Sequence, residues 1–158
     1  MLCDAPERED TSGDAIREMV TGEPLNATVE ARMIVADERA SIESVLRSWA
    51  DVLRLNLVLT TGGTGFSPTD VTPEATLAVV ERVAPGLAEA MRAESLRITP
   101  MAMLTRAVSG IRGETLIVNL PGSPKGVREC LGVILPALPH AVDILTRRVT
   151  EHGAAAKV

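Results

Sequence analysis

The sequence has no tyrosine, one phenylalanine (Phe66) and one tryptophan (Trp49). Its core must therefore be aliphatic, and it offers no row of rings on which nucleic-acid bases stack. Cysteine is nearly as scarce. Cys3 and Cys130 make no disulfide framework and read as reduced thiols, which predicts a cytoplasmic protein. His140 and His152 stand far from any cysteine pair, so the spacing of a zinc site is missing and both read as structural or solvent-facing. Basic residues are outnumbered: 16 Lys and Arg face 21 Asp and Glu, for a net charge of −5. That balance argues against a nucleic-acid partner, whose phosphates need a basic footprint. Met1 to Asp10 is polar and acidic, and no stretch approaches the ~20 apolar residues of a membrane span. No membrane partner is expected.

What is present fits one domain. A chain of 158 residues that is 46% hydrophobic can bury a single core. The domain should run over residues 1–150, with 151–158, containing Gly153 and three alanines, as a flexible tail. Thr11 to Asp14 precede a short helical stretch, Ala15 to Val20, ended by Gly22 and Pro24. Thr28 to Val35 alternates Val29, Ala31, Met33 and Val35, the pattern of a strand with one buried face. From Glu38 to about Leu55, the residues Ile42, Val45, Leu46, Trp49, Val52 and Leu53 recur at helical spacing and form one stripe.

Leu55 to Thr60 holds Leu57, Val58 and Leu59 in an uninterrupted apolar run and reads as a strand covered on both faces, and Thr115 to Leu120 reads as a second covered strand. Between them Thr72-Pro73-Glu74 starts a helix with a hydroxyl cap, a proline and an acid in its first turn, and Pro85-Gly86 breaks it. Ser123-Pro124 repeats that start for a helix through Val127, Cys130, Leu131 and Ile134. Pro136 and Pro139 interrupt it before a last helix from about His140 to Thr150. Strands followed by capped helices predict an α/β fold, a three-layer α/β/α sandwich with a mainly parallel sheet. Such sheets bind ligands at the carboxyl ends of their strands.

Both candidate sites fall at those ends. Gly62-Gly63-Thr64-Gly65 leaves the first covered strand with backbone N–H groups open to an anion. It lacks the lysine of a Walker loop and the spacing of a dinucleotide fingerprint, so phosphate cradle and plain sharp turn stand level. Asp70, between this loop and Thr72, is placed either to bind Mg²⁺ or to close an Asx turn. Asp37 reaches the same strand-end surface or caps the helix that follows it. Ser123 and Lys125, after the second strand, either hold a phosphate at a helix N-terminus or serve only capping and solvation.

Longer motifs link these elements. Leu59-Thr60-Thr61-Gly62-Gly63-Thr64-Gly65 and Asp70-Val71-Thr72-Pro73-Glu74-Ala75-Thr76 resemble the signature of the molybdopterin-binding family of bacterial molybdopterin adenylyltransferases and gephyrin-type G domains. Downstream, Glu94-Ser95-Leu96, Leu104-Thr105-Arg106, Gly110-Ile111-Arg112-Gly113, Asn119-Leu120-Pro121-Gly122-Ser123 and Glu129-Cys130 follow in the family's order. The resemblance spans roughly Cys3 to Arg148 and is closest to the gephyrin and plant branch.

The resemblance implies molybdenum-cofactor biosynthesis, with Mg²⁺-dependent transfer of AMP from ATP to molybdopterin. It places Gly62, Gly63, Thr64 and Gly65 against phosphate, Thr72, Pro73 and Glu74 at the substrate, and Asp70 and Asp37 in the Mg-ATP reaction. Ser95, Asn119, Pro121, Gly122 and Ser123 would hold the pterin, with Lys125 beside them. It further implies a homotrimer and a molybdenum-insertion domain or protein as partner.

Thr69 stands where the family normally has Arg, and Thr105 where it has Ser. The family's first strand lies ahead of the position of Cys3, where this chain has only Met1 and Leu2. A first strand is therefore expected to be missing, at a cost in stability. A non-catalytic pterin-binding or scaffold module remains the alternative function.

Overall fold

The computed structural model describes residues 10–147. Statements about Cys3, His152, the 151–158 tail and a strand ahead of Asp10 lie outside the described residues. Helix α1 (Thr11–Thr21) begins earlier than its apolar periodicity suggests. Asp10 is its N-cap, its Oδ1 accepting the Gly13 N–H at 2.8 Å, so the Thr-Ser-Gly-Asp run lies inside the helix.

Residues 28–35 form no strand: they have no ladder partner among the described residues, and Val29, Met33 and Ile34 are exposed. Alternation supplied one half of a strand and the described residues do not supply the other, a paired neighbour. An apolar groove instead separates this segment from the next strand, floored by residues such as Ile16 and Leu46.

Helix α2 (Arg39–Arg47) passes directly into a π-helical turn, Ser48–Val52. Ile42 and Leu46 are buried as the stripe requires, but Val52 and Leu53 are 74% and 51% exposed. A π turn takes more than 3.6 residues per revolution, which rotates the last two members off the buried face.

Strand β1 (Leu57–Thr61), helix α3 (Thr72–Val79), strand β2 (Arg82–Val83) and helix α4 (Pro85–Ile98) follow. Next come a 3₁₀ turn (Pro100–Leu104), strands β3 (Ser109–Arg112) and β4 (Thr115–Leu120), helix α5 (Pro124–Ile134), a second 3₁₀ turn and helix α6 (Leu138–Leu145). Pro139 thus sits in the first turn of α6 instead of interrupting a helix. The sheet order is β1-β4-β3-β2. β1 runs parallel to β4, as expected of the two covered runs, while β3 and β2 add antiparallel pairs and make the sheet mixed. The short strand Arg82–Val83 lies where only a helix break was read, and Gly113 at φ +55° turns the β3–β4 hairpin.

All of β4 is buried, and its alternate residues face opposite layers. Leu116, Val118 and Leu120 pack with α1, α4, α5 and α6 on one side. Ile117 packs with Ile42, Leu46, Val58, Ala75 and Val79 on the other. That makes the expected three-layer sandwich, with β1 only half covered because β4 is its one strand partner among the described residues. No helix of the described residues is long and apolar enough to cross a membrane.

Candidate functional site

The register of the parallel pair assembles the site. Thr61 lies opposite Leu120, so the loops leaving β1 and β4 emerge side by side. The Gly62 N–H donates to the Leu120 carbonyl at 3.2 Å, and the Thr61 hydroxyl donates to the Pro121 carbonyl at 2.6 Å. The Gly122 carbonyl accepts from Ser12 Oγ of α1 at 2.8 Å. The two sequence-distant loops are thus one structural unit.

Gly63 makes the first loop possible. Its φ is +63°, and a Cβ there would lie 2.4 Å from Thr72 Oγ1. Gly63→Ala should therefore combine a left-handed backbone penalty with a clash, destabilising the fold by about 1–3 kcal/mol. Thermal unfolding of the variant checks this, and an unchanged melting temperature would show that the loop relaxes freely.

The same close approach identifies a cluster. Thr72 Oγ1 does not cap α3: Val71 is the N-cap residue, with no side-chain cap hydrogen bond. Asp37 does not cap α2 either, since Glu38 holds that position. Instead Asp37 Oδ1 lies 3.5 Å from where a Gly63 Cβ would be. Among the described residues, Asp37 Oδ1, Thr72 Oγ1 and Glu74 Oε2 are the buried side-chain atoms without a hydrogen-bond partner. Each such atom costs about 1–3 kcal/mol unless a ligand satisfies it. They are hard oxygen donors, which suits Mg²⁺.

Asp70 flanks the loop at Gly65, where a Cβ would lie 2.9 Å from its Oδ2. The same Oδ2 accepts the Ser67 N–H at 3.0 Å, so the local turn role is realised as well. Thr69 is exposed, its hydroxyl 2.9 Å from that of Ser67. Pro73 is buried in the first turn of α3, and Glu74 pairs with Arg106.

A cleft of about 530 Å³ opens from this loop between α4 and α5. Thr64, Gly65, Ser95, Asn119, Pro121, Ser123 and Lys125 all line it. Gly62, Gly63 and Gly122 do not line it, and neither do Asp37, Asp70, Thr72, Pro73 and Glu74. Ser123 Oγ accepts the Gly126 N–H at 3.1 Å, capping α5, and the Lys125 ammonium is 3.7 Å from Glu129. Asn119 is 0% exposed, and its carboxamide is engaged on three sides. Oδ1 accepts the Val108 N–H at 3.2 Å, and Nδ2 donates to Thr60 Oγ1 and Thr76 Oγ1, each at 2.9 Å.

Met91, Arg92 and Cys130 also line the cleft, and sequence reasoning assigned them no role. The helical spacing of Ala88, Met91, Arg92 and Ser95 is the signal that could have found the α4 wall. Cys130 Sγ meets Ser95 Oγ at 3.5 Å, and burial pushes its thiol up, so it stays protonated near neutrality. No group of three His, Cys, Asp or Glu suited to a metal occurs among the described residues. Mg²⁺ does not need one, because it is commonly held by one or two carboxylates together with substrate phosphates.

The chain is 47% identical over 137 residues to a molybdopterin adenylyltransferase of Helicobacter pylori, covering 87% of this chain and 78% of that protein. It is 50% identical over 115 residues to gephyrin of Dictyostelium discoideum, covering 73% of this chain and 16% of that much longer protein. Among solved structures, the molybdopterin biosynthesis enzyme MoaB of Thermus thermophilus superposes with a TM-score of 0.82 at 55% identity, covering 89% of this chain and 87% of that one. The Mog protein of Mycobacterium ulcerans gives 0.79 at 40% identity, with 88% of each chain covered. Residues 3–140 match the family model described as "Probable molybdopterin binding domain", and the chain belongs to that family.

Proposed function

We propose that this chain acts in molybdenum-cofactor biosynthesis as a molybdopterin adenylyltransferase. The observation that carries the reading is a glycine loop that meets the cleft at Thr64 and Gly65 and has two buried, unpartnered oxygens, Asp37 Oδ1 and Thr72 Oγ1, beside its Gly63. Ser95 and Ser123 hold the pterin end of molybdopterin, with Thr64 and Gly65 turned to phosphate and Lys125 giving charge to a phosphate group. No protein nucleophile is needed. An oxygen of the molybdopterin phosphate attacks the α-phosphorus of ATP, a P–O bond forms, and the bond to pyrophosphate breaks. The protein brings two anions together in line, and that positioning lowers the barrier. Asp37, Asp70 and Thr72 are the residues that would hold Mg²⁺, which on binding offsets the repulsion between the phosphates.

Purified protein given ATP, Mg²⁺ and molybdopterin should release pyrophosphate and form adenylyl-molybdopterin, detected by mass spectrometry. Release that does not depend on molybdopterin would overturn the reading. A second reading, a non-catalytic pterin-binding or scaffold module, is favoured by Thr69, whose hydroxyl meets only Ser67 where a guanidinium would supply charge. Molybdopterin binding without transfer would select it. A cytoplasmic homotrimer that passes product to a molybdenum-insertion domain completes the proposal.

Lys125 supplies the next test. Its side chain is 80% exposed, so its attraction for a phosphate is screened by salt. Lys125→Ala should weaken molybdopterin binding several-fold at low ionic strength and much less near 0.5 M salt, read by titration. Equal loss at both would make Lys125 a structural residue.

A further inference from the structure

Arg106 is neither a cleft-lining residue nor one of the partnerless groups, yet it contacts the glycine loop at more points than any residue described above. Its backbone N–H donates to the Thr64 carbonyl at 2.8 Å. Its Nε donates to the Gly65 carbonyl at 2.7 Å, and one terminal nitrogen donates to the Asp70 carbonyl at 2.6 Å. The other terminal nitrogen pairs with Glu74 Oε1 in the first turn of α3. Residues 66–69, between these anchor points, are all exposed. Little else therefore fixes the path of the chain from Gly65 to Asp70, apart from the local turn between Ser67 and Asp70.

We propose that Arg106 is a positioning residue that clasps both ends of the 65–70 loop and thereby sets the Asp70 carboxylate against Gly65, without itself touching substrate. The planar guanidinium is what allows this, because its N–H groups diverge at fixed angles toward two carbonyls and a carboxylate at once. A lysine ammonium keeps the charge on a flexible stem and lacks that fork. The clasp rests on the adenylyltransferase reading only for its effect on turnover; its effect on the loop stands apart.

Arg106→Ala and Arg106→Lys, each compared with the unaltered protein, test this. Amide hydrogen exchange in residues 65–70 should quicken at least about tenfold in both variants, with β4 amides unchanged. Adenylyl transfer should fall in kcat by roughly 10- to 100-fold, the loss expected of a group misplaced by about 1 Å, while KM for molybdopterin stays within about threefold. Added methylguanidinium should restore part of the kcat of the alanine variant and none of that of the lysine variant. Arg106→Lys retains charge and stem, so it keeps the test intact if the alanine variant fails to fold.

Unchanged loop exchange in a folded variant overturns the clasp. So does a rise in KM with kcat intact, which would place Arg106 in substrate binding. If the unaltered protein transfers no AMP, the enzymatic reading fails, and the exchange measurement alone decides the clasp.

Discussion

Asp70→Asn is expected to lower adenylyl transfer by a factor on the order of 10² or more while leaving molybdopterin affinity within a few-fold. The substitution separates two roles that one carboxylate combines. Its Oδ2 accepts the Ser67 N–H at 3.0 Å, and an asparagine oxygen keeps that acceptor and hence the turn. What disappears is the negative charge beside Gly65, where the proposed reaction brings the phosphates of ATP and molybdopterin together. Transition-state charge is most sensitive to groups held rigidly in place, and the asparagine leaves both the Ser67 turn and the Arg106 contact with the residue 70 carbonyl in place. Steady-state transfer and equilibrium binding, measured on the same preparation, check the split. An asparagine variant with near-normal turnover would remove Asp70 from the chemistry and leave it a turn residue.

Asn119→Leu carries the largest expected effect on stability. Leucine shares asparagine's branching at Cγ but is bulkier, so the change leaves no cavity, overpacks a position 0% exposed and deletes three hydrogen bonds. The Val108 N–H loses its side-chain acceptor, and the hydroxyls of Thr60 and Thr76 lose the donor that ties β1 to α3 across β4. Stranding such groups costs about 1–3 kcal/mol each, reduced where a hydroxyl rotates to another partner. A net loss of about 3 kcal/mol is expected, or roughly 6–12 °C in melting temperature for a domain of this size. Circular dichroism melting of the variant checks it. The resemblance places Asn119 among the residues holding the pterin, whereas the hydrogen bonds assign its amide to the fold. A variant that melts normally but binds molybdopterin weakly would restore the direct role.

Much of this architecture was legible from near neighbours. Ser123-Pro124 announces the start of α5, and the structure shows the serine hydroxyl on the Gly126 N–H. Leu116, Ile117 and Val118 within Thr115 to Leu120 announce a covered strand, and every residue of β4 is buried. The glycine loop and the Pro121–Ser123 turn were both expected at strand ends, where a sheet opens to ligands. In each case the cause lies within a few residues: a hydroxyl three positions from an N–H, a proline with no N–H to lose, or side chains that all avoid water.

The remaining features depended on partners far along the chain. Thr28 to Val35 alternates like a strand, but a ladder needs a second backbone, and none pairs with it among the described residues. Asp37 and Thr72 each had a plausible local cap to make. Tertiary packing instead left the Asp37 and Thr72 oxygens buried and unpartnered beside Gly63. Arg106 sits 41 residues from Gly65 and 36 from Asp70, so no local pattern could reveal the contacts it makes with both. The sequence determined where the chain turns, which runs are buried and which family it resembles, because these follow from local sterics and solvent avoidance. Only the tertiary structure decided which polar groups pair and which stay free for a ligand, because that depends on which distant segments the parallel register of β1 and β4 brings together.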